Sequence, residues 1–503
     1  MDSIVFTFIA YGCILLLISN SAKRYTSNKS DFFLSGRSLS GPLTALGAGA
    51  SDMSSWLLMV LPGLVYFSGL NKIWMPLSLV IGAYANWKLI AKHLRVYTEV
   101  ANDSLTLPSY LHNRFNHTNN YSRVLKTVSG ISMLIFFSIY SASGFIGGAE
   151  VFTLAFDISH PVALFIIALV VISYTAIGGF LAVSWVDFFQ GCLMFAALLI
   201  VPIVTCLHLG GWTRFYQQII NLSPTHLEMF SNFKIISILS LIGWGLGYFG
   251  QPHINSRFMA IRSIKELPVA TRICMSWMIV SLVGAIATGL VGFVYFNDSP
   301  LAQQDTVFIA LSKTLFNPIM AGILISAILS AVMSTVSAQI LMLASIFTED
   351  FYCGYFRKNS SKKEQMIVSR LSLILLSAIV LFIAAFSGNS LFSSISFAWS
   401  GLGAAFGPVT IMSLFWRDMS RAGAVAGIIS GTASVLLWKL LTDLRVGGIF
   451  NHPDLLPGFD LIPSVIISIL NIYIFSKIYR QKDLVILNEF DKVKSIIQQH
   501  NSV

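Results

Sequence analysis

Charged side chains are scarce in this sequence: only 11% of its 503 residues are Asp, Glu, Lys or Arg, whereas 55% are hydrophobic. Globular soluble proteins average roughly 25% charged residues, about twice that fraction. The scarcity therefore excludes a soluble protein held by a single membrane anchor. Apolar runs along the whole chain predict an all-α, polytopic membrane protein.

Cysteine is also scarce, and its positions indicate no covalent or metal framework. Four of the five cysteines (Cys13, Cys192, Cys206 and Cys274) lie inside apolar segments, and no spacing suggests a zinc site or a disulfide scaffold. No cluster of His, Asp or Glu has metal-ligand spacing either. The sequence therefore predicts no resident cofactor.

Processing signals and long hydrophilic stretches are missing as well. Residues 3–19 are preceded by no basic residue and have no small-residue cleavage site, so they are predicted to remain as a helix and not to be removed as a secretory signal. The loops 92–126 and 210–233 are too short for a soluble domain, and the tail after Ile478 is predicted to form a short cytoplasmic helix. A membrane sensor fused to a catalytic domain is thereby disfavoured.

What the chain does contain is a long series of hydrophobic segments. Thirteen are predicted to cross the membrane, near residues 3–19, 43–69, 72–91, 127–156, 161–181, 187–209, 233–252, 271–296, 317–347, 369–387, 391–416, 421–442 and 459–476.

Lys and Arg are distributed unevenly over the predicted loops. With the N-terminus outside, most of the 32 basic residues, Arg257 among them, fall on the inner side, and the outer side keeps Lys72, Arg214, Lys234, Lys313, Lys439 and Arg445. Because positive residues are retained on the cytoplasmic side, we expect an outer N-terminus and a cytoplasmic C-terminus in the cell (inner or plasma) membrane. The net charge of +10 then reflects topology, so the expected partner is the bilayer and not nucleic acid. No obligatory protein partner is indicated.

The second predicted span, 43–69, is poorly built for an uninterrupted helix. Gly47, Gly49, Ser51, Asp52 and Ser54 crowd into its middle. A charged Asp at mid-membrane costs about 2.5–3.5 kcal/mol and persists mainly where it faces a cavity, an ion or a partner. Unwound backbone is tolerated at this depth only where it is buried or lines a cavity. The pattern favours a broken helix around a site, and the alternative is a seam of small residues for helix packing.

The seventh span carries a comparable interruption. Gly243, Gly245, Gly247 and Gly250 are followed by Pro252, and this pattern should break the helix. Since five spans separate the two breaks, the second copy must enter the membrane from the opposite side. This favours an inverted repeat of five helices each, whose broken first helices frame a central site. The alternative is that the glycines serve only close packing.

The ninth span places Ala331, Ser334 and Thr335 on one helix face, because they stand three and four residues apart. Two hydroxyls and a carbonyl can supply part of an oxygen cage for Na⁺, completed by backbone carbonyls near Ala50 and Met53. Mg²⁺ or Ca²⁺ would require more carboxylates. The alternative is that both hydroxyls bond back to carbonyls of their own helix.

Several motifs, in order along the chain, resemble the sodium/solute symporter family, and they are closest to its sodium/proline symporter branch. They are AGASDMSSWLLMVLPG, YANWKL, LTLPSY, IGGFLAVSWVDFFQG, GWGLGYFGQPHI, YFND and ILSAVMSTVSAQ, and the similarity runs from about Asp31 to Trp416. The resemblance implies thirteen helices with a five-plus-five inverted repeat. It also implies secondary transport of L-proline, driven by the inward Na⁺ gradient.

The resemblance also implies residue roles. Na⁺ would bind carbonyls of Ala50 and Met53 together with Ala331, Ser334 and Thr335, and Asp52 would be needed for Na⁺-dependent function. Trp244, Tyr248 and Pro252 would face the substrate, with Tyr140 opposite. Asp187 and Arg37 also match positions that matter in the family, in gating or ion passage.

The residues themselves suit an amino-acid zwitterion. The second half of span two begins around Ser54 and offers free backbone N–H groups to a carboxylate. Trp244 and Tyr248, one turn apart, suit a compact ring such as pyrrolidine. In the proline branch the residue after the serine of SDMS is glycine, whereas this chain has Ser55. Its hydroxymethyl group would narrow the pocket or bind the substrate.

The predicted organisation has four parts. Residues 1–42 form the first helix and a cytoplasmic linker, 43–209 and 233–416 the two five-helix repeats, and 417–503 two peripheral helices and the tail. Among other functions, a channel is disfavoured because polar residues cluster near mid-membrane, and an intramembrane enzyme because Ser54 and His253 lie at different depths. A Na⁺- or H⁺-coupled symporter of another small amino acid or organic solute is the alternative.

Overall fold

The computed structural model describes residues 2–115, 123–231, 234–357, 359–387, 391–446 and 455–500. Helices account for nearly all of this part of the chain. Its one β-type contact is an isolated parallel bridge between Leu39 and Ile261.

Twenty α-helices follow one another along the described chain. They are α1 (Asp2–Lys23), α2 (Lys29–Leu34), α3 (Gly41–Ser55), α4 (Leu61–Ser68), α5 (Trp74–Ala85), α6 (Ala91–Val100), α7 (Leu107–Arg114), α8 (Arg123–Phe156), α9 (His160–His208), α10 (Trp212–Leu222), α11 (Ile235–Gly243), α12 (Pro252–Ala260), α13 (Leu267–Tyr295), α14 (Val307–Leu315), α15 (Pro318–Ser345), α16 (Lys362–Phe386), α17 (Leu391–Phe415), α18 (Arg421–Asp443), α19 (Leu461–Ile478) and α20 (Leu484–Gln499). Wider, π-helical turns at Trp56–Val60 and Asn86–Ile90 join α3 to α4 and α5 to α6.

Ten helical stretches of the described residues are long and apolar enough to cross a membrane, or eleven if one bent pair counts as a single span. The bent pair is Ile235–Gly250 with Pro252–Ala260, which meet at 42°. A multi-pass, all-helical membrane protein is therefore confirmed. The predicted number of thirteen spans is not established by these lengths.

Two predicted spans, 161–181 and 187–209, lie within the single helix α9. Its 49 residues would measure about 74 Å if straight, more than twice the hydrocarbon thickness of a bilayer. The helical geometry fails at Gly179, where φ is 62° and ψ is −148°. Only glycine adopts such a conformation at little cost. The interruption therefore lies several residues before the predicted loop.

Helices α15 and α17 are the most buried of the candidate spans, whereas α16, α18 and α19 are peripheral. In the apolar stretches of the spans that contain α15 and α17, 83% of the residues are buried, against 28% in each of the other three. Because lipid tails are as apolar as leucine side chains, the hydrophobic effect does not drive membrane helices together, and they associate mainly by close packing. Gly144 and Gly148 of α8 provide that closeness against Val336 and Val332 of α15.

Both predicted helix breaks are present, and they lie beside the packed centre. The first lies at the end of α3, and the second is a 3₁₀ turn, Trp244–Gly250, followed by extended Gln251. The second break packs directly on α5, where Gly82 and Gly245 allow backbone contact. The first break thus contacts α15, whereas the second packs against α5 and α17.

Candidate functional site

The first helix break is centred on Ser54. Its φ of 44° and ψ of −165° are non-helical and unfavourable for any residue with a Cβ atom. The surrounding structure holds this conformation: the Ser54 N–H donates to Thr335 Oγ1 at 3.0 Å, and the Trp56 N–H donates to Ser54 Oγ at 3.3 Å. The backbone is therefore unwound where the crowding of small polar residues predicted it.

The hydroxyls of α15 contact this broken backbone. Ser334 Oγ donates to Ala50 O at 2.8 Å and lies 3.1 Å from Ala331 O. Thr335 Oγ1 is 3.1 Å from Ala331 O and also accepts the Ser54 N–H. Each hydroxyl therefore bonds within its own helix, as the alternative interpretation predicted, and each also contacts span two.

These contacts gather carbonyl and hydroxyl oxygens from Ala50, Ala331, Ser334 and Thr335, all of which are buried. Met53 lies at the same end of α3, and its carbonyl accepts the Trp56 N–H. Neutral oxygens of this kind suit a small monovalent cation. Nowhere in the described ranges do three His, Cys, Asp or Glu side chains gather as a metal site.

A small cavity adjoins these oxygens between the two broken spans. It is lined by Asp52, Met53, Ser54, Trp56, Leu79, Tyr140, Trp244, Tyr248, Ile395 and Trp399. Its volume of about 20 Å³ accommodates about one water molecule. As it stands, the cavity is closed to an amino acid because it is too small for one, and five of its ten lining residues are aromatic.

Aromatic contacts and one carboxylate define the character of this cavity. The Tyr248 hydroxyl donates to the Asp52 carboxylate, and the Tyr248 ring meets Trp399 edge-on at 5.2 Å. Trp244 stacks parallel to Phe392 at 5.6 Å. Such a cavity combines ring faces with a single carboxyl group.

Trp56, Leu79, Ile395 and Trp399 line the cavity, although the sequence interpretation did not include them. Trp399 lies in a run of small residues, and its indole N–H donates to Trp244 O at 2.9 Å. A tryptophan among serines and glycines in mid-span was the available signal.

Two predicted substrate residues do not line this cavity. Pro252 begins α12 after extended Gln251, so its place follows from its fixed φ and missing N–H. The Ser55 side chain points to α8, where it lies against Gly147, and its hydroxyl has no hydrogen-bond partner within the described part of the chain. The expected narrowing of the pocket by Ser55 is therefore absent in this closed form.

Asp187 lies outside the cavity, in a buried ion pair. Its carboxylate is 2.6 Å from the Arg257 guanidinium, which also donates to Ser184 Oγ at 2.6 Å. Both partners are at most 1% exposed. Arg257, which the sequence interpretation counted on the inner side, lies buried within α12. The buried Asp187 carboxylate makes its burial tolerable.

Arg37 also lies away from the cavity, where it joins three segments of the chain. Its guanidinium donates to Asp103 at 2.7 Å, to Thr98 Oγ1 at 3.0 Å and to the carbonyls of Met259 and Ser104 at 2.8 and 3.0 Å. The parallel bridge at Leu39 lies beside these bonds. Arg37 thus ties the segment before α3 to α6 and to the end of α12.

Comparison with known families and curated proteins gives consistent results. The model described as "Sodium:solute symporter family" matches residues 32–431. The chain is 41% identical over 497 residues to sodium/proline symporter 2 of Staphylococcus saprophyticus, covering 98% of this chain and 96% of that protein. It is 43% identical over 489 residues to the high-affinity proline transporter PutP of Bacillus subtilis, covering 96% and 100%.

Solved structures show the same fold at lower identity. A Na⁺-coupled sialic acid symporter in a substrate-bound, outward-open state superposes with a TM-score of 0.80 at 17% identity, covering 96% of this chain and 99% of that one. Mhp1, a nucleobase-cation-symport-1 family transporter, gives a TM-score of 0.56 at 14% identity, covering 93% and 98%.

Proposed function

Because this chain belongs to the sodium:solute symporter family, we propose that it couples inward Na⁺ movement to uptake of L-proline. The observation that carries the proposal is the contact between the α15 hydroxyls and the broken backbone of span two, beside an aromatic cavity. The names of the relatives supply the substrate: those at 41–43% identity over nearly the whole chain are sodium/proline symporters or proline transporters.

Na⁺ is proposed to bind five neutral oxygens: the carbonyls of Ala50, Met53 and Ala331 and the hydroxyls of Ser334 and Thr335. The hydroxyl that bridges α15 to Ala50 would turn its proton outward and offer a lone pair to the ion. Binding would then replace hydrogen bonds between the two helices by shared coordination. Asp52, in the neighbouring cavity, supplies negative charge.

Proline is proposed to bind in the cavity between the two breaks. Its carboxylate would meet N–H groups where the helix resumes after Ser54, and its ring would contact Tyr140, Trp244 and Tyr248. Ser55 and Pro252 would act through the helices they shape. A cavity of about 20 Å³ is too small for proline, so loading requires the walls to separate. Asp187 and Arg37 hold elements that move in that step.

The proposed architecture is thirteen spans with a five-plus-five inverted repeat. Interrupted α9 contributes two spans, and α5–α6 and α11–α12 contribute one each. The two repeats are formed by residues 43–209 and 233–416. The flanking parts are residues 1–42 and 417–503. The N-terminus lies outside the plasma membrane and the C-terminus inside. The glycine-rich breaks of spans two and seven support this symmetry.

Uptake into proteoliposomes tests the proposal. Labelled proline should accumulate under an inward Na⁺ gradient and not under a K⁺ gradient of equal size. Counterflow with a panel of amino acids, with Na⁺ and pH varied separately, identifies the preferred substrate and ion. Proline uptake driven by a pH gradient without Na⁺ would contradict Na⁺ coupling, and failure of proline to compete would contradict the substrate.

A further inference from the structure

The outer segment 455–460, between α18 and α19, lies against the second helix break. The Leu456 N–H donates to Ser240 Oγ at 3.3 Å, and the Trp244 indole N–H donates to Pro457 O at 2.9 Å. Ser400 Oγ donates to Asp460 Oδ1 at 3.1 Å. A segment outside the two repeats is thereby attached to a wall of the proposed substrate cavity.

Gly458 is fitted to the Trp244 ring. Its φ is +100°, a conformation that residues with a Cβ atom rarely adopt, and a Cβ added there would overlap the indole nitrogen and its two neighbouring carbons. The adjoining carbonyl of Pro457 accepts the indole proton. One residue therefore orients the indole, and the next provides the space for it.

The indole N–H of Trp244 is engaged by this segment, so it is not available to a substrate. Trp244 contributes to the cavity through its ring, whose other neighbours are Phe392 and Trp399. The depth to which the ring enters the cavity then depends on where segment 455–460 holds it.

The opposite side of the segment borders a second cavity of about 330 Å³. Its lining includes Ser396, Phe397, Lys439, Thr442, Phe459 and Asp460. Segment 455–460 therefore borders both the Trp244 ring and a cavity into which it is not packed.

We propose that Pro457 and Gly458 are positioning residues for Trp244, and that this segment of the peripheral helices thereby sets the size of the substrate cavity. The inference rests on the proposed function, in which Trp244 lines the proline site. The last two spans would then influence substrate selectivity, although they lie outside the inverted repeat.

Gly458→Ala tests the contact, because the added methyl group should press the indole toward the cavity. We expect the KM for proline to rise by about fivefold, with a maximal rate within about twofold of wild type. The four-membered ring of azetidine-2-carboxylate should be affected less than proline. Gly211→Ala is the matched control, since Gly211 has a similar φ of +87° and nothing within 4 Å of an added Cβ.

Trp244→Phe separates positioning from a general defect of the loop. Phenylalanine keeps a ring, lacks the N–H and leaves room for the methyl group. In that background Gly458→Ala should no longer raise the KM for proline. A wild-type KM in Gly458→Ala, a full additional rise in the double variant or an equal rise in Gly211→Ala would each overturn the proposal.

A spectroscopic measurement distinguishes this inference from the proposed transport activity. In protein labelled with 5-fluorotryptophan, the fluorine resonance that Trp244→Phe removes belongs to Trp244. Gly458→Ala should shift that resonance, whereas Gly211→Ala should leave it in place. An unshifted resonance contradicts positioning even if proline is transported, and a shifted one supports positioning even if the substrate differs.

Discussion

Thr335 has one role that Ser334 does not share. Its hydroxyl accepts the N–H of Ser54, the residue with the strained backbone, whereas Ser334 bonds only to carbonyl oxygens. Thr335 therefore stabilises the helix break itself in addition to the proposed ion site. Sequence spacing placed both hydroxyls on one face of α15, but it could not distinguish their partners.

Ser334→Ala and Thr335→Ala should raise the Na⁺ concentration for half-maximal proline uptake, by about tenfold if one ligand is worth about 1.4 kcal/mol. By linkage, proline affinity should largely recover at saturating Na⁺ in Ser334→Ala and less completely in Thr335→Ala. Ser326→Ala is the control, because its hydroxyl bonds only to the Gly322 carbonyl of the same helix. Unchanged Na⁺ dependence in both variants would remove these hydroxyls from the ion site.

Asp52 is the one carboxylate among the residues that line the central cavity. Asp52→Asn should reduce Na⁺-dependent proline binding more than Tyr248→Phe does, because the amide keeps the shape but loses the charge that attracts cations. Binding to purified protein as a function of Na⁺ measures both effects. Equal losses in the two variants would mean that the hydrogen bond, and not the charge, is what matters.

Ser55 and Gly147 form a pair across the contact between span two and α8. A Cβ at Gly147 would lie 3.0 Å from Ser55 Oγ, so Gly147→Ala should reduce folded yield and proline uptake. Ser55→Gly should keep a proline KM equal to or below that of wild type and should rescue Gly147→Ala. A large loss of uptake in Ser55→Gly alone would show that Ser55 contacts the substrate.

At the scale of elements, the positions of the two helix breaks were predictable from the sequence, whereas the contacts between helices were not. Clustered Gly, Ser and Asp residues located the breaks near Ser54 and Trp244, because helix-breaking chemistry is local. The bond between Trp399 and Trp244 and the burial of Arg257 depend on partners more than a hundred residues away or on another helix. No local pattern specifies such contacts.

The helix break at Ser54 should tolerate substitution by glycine better than substitution by alanine. Glycine accepts a positive φ at little cost, whereas alanine keeps the strain and loses the hydroxyl that receives the Trp56 N–H. Ser54→Gly should therefore retain more thermal stability and more proline binding than Ser54→Ala, although alanine resembles serine more closely in size. The reverse order in thermal unfolding of the purified variants would show that the hydroxyl, and not the backbone conformation, dominates.

At the scale of the whole molecule, we propose that Arg37 and the bridge beside it close one side of the protein. The resemblance implied a role for Arg37, but the sequence did not indicate that it contacts α6, Ser104 and the end of α12 together. These contacts join parts that are far apart in the chain and that must separate for the cavity to open toward that side.

Arg37→Gln should weaken this closure, because the neutral amide loses the ion pair with Asp103 and most of the other bonds. We expect a cysteine placed at Ser256, on buried α12, to react faster with a thiol reagent applied from the cytoplasmic side. Maximal proline uptake should fall more than proline affinity. The same cysteine in Arg262→Gln is the control, since the Arg262 side chain is exposed and its ion pair, with half-buried Glu266, lies within its own segment. Equal labelling rates in both would contradict a closing role for Arg37.

The closed central cavity has room for about one water molecule, so every cycle must hydrate this space and dry it again. The transport cycle therefore exchanges water with the bulk solution. The activity of the bulk water then affects the balance between the closed and the open cavity. Polymers too large to enter would draw the water out and favour the closed form. Hyperosmotic solution outside the cell would thus act on the transporter directly, apart from any change in the Na⁺ gradient.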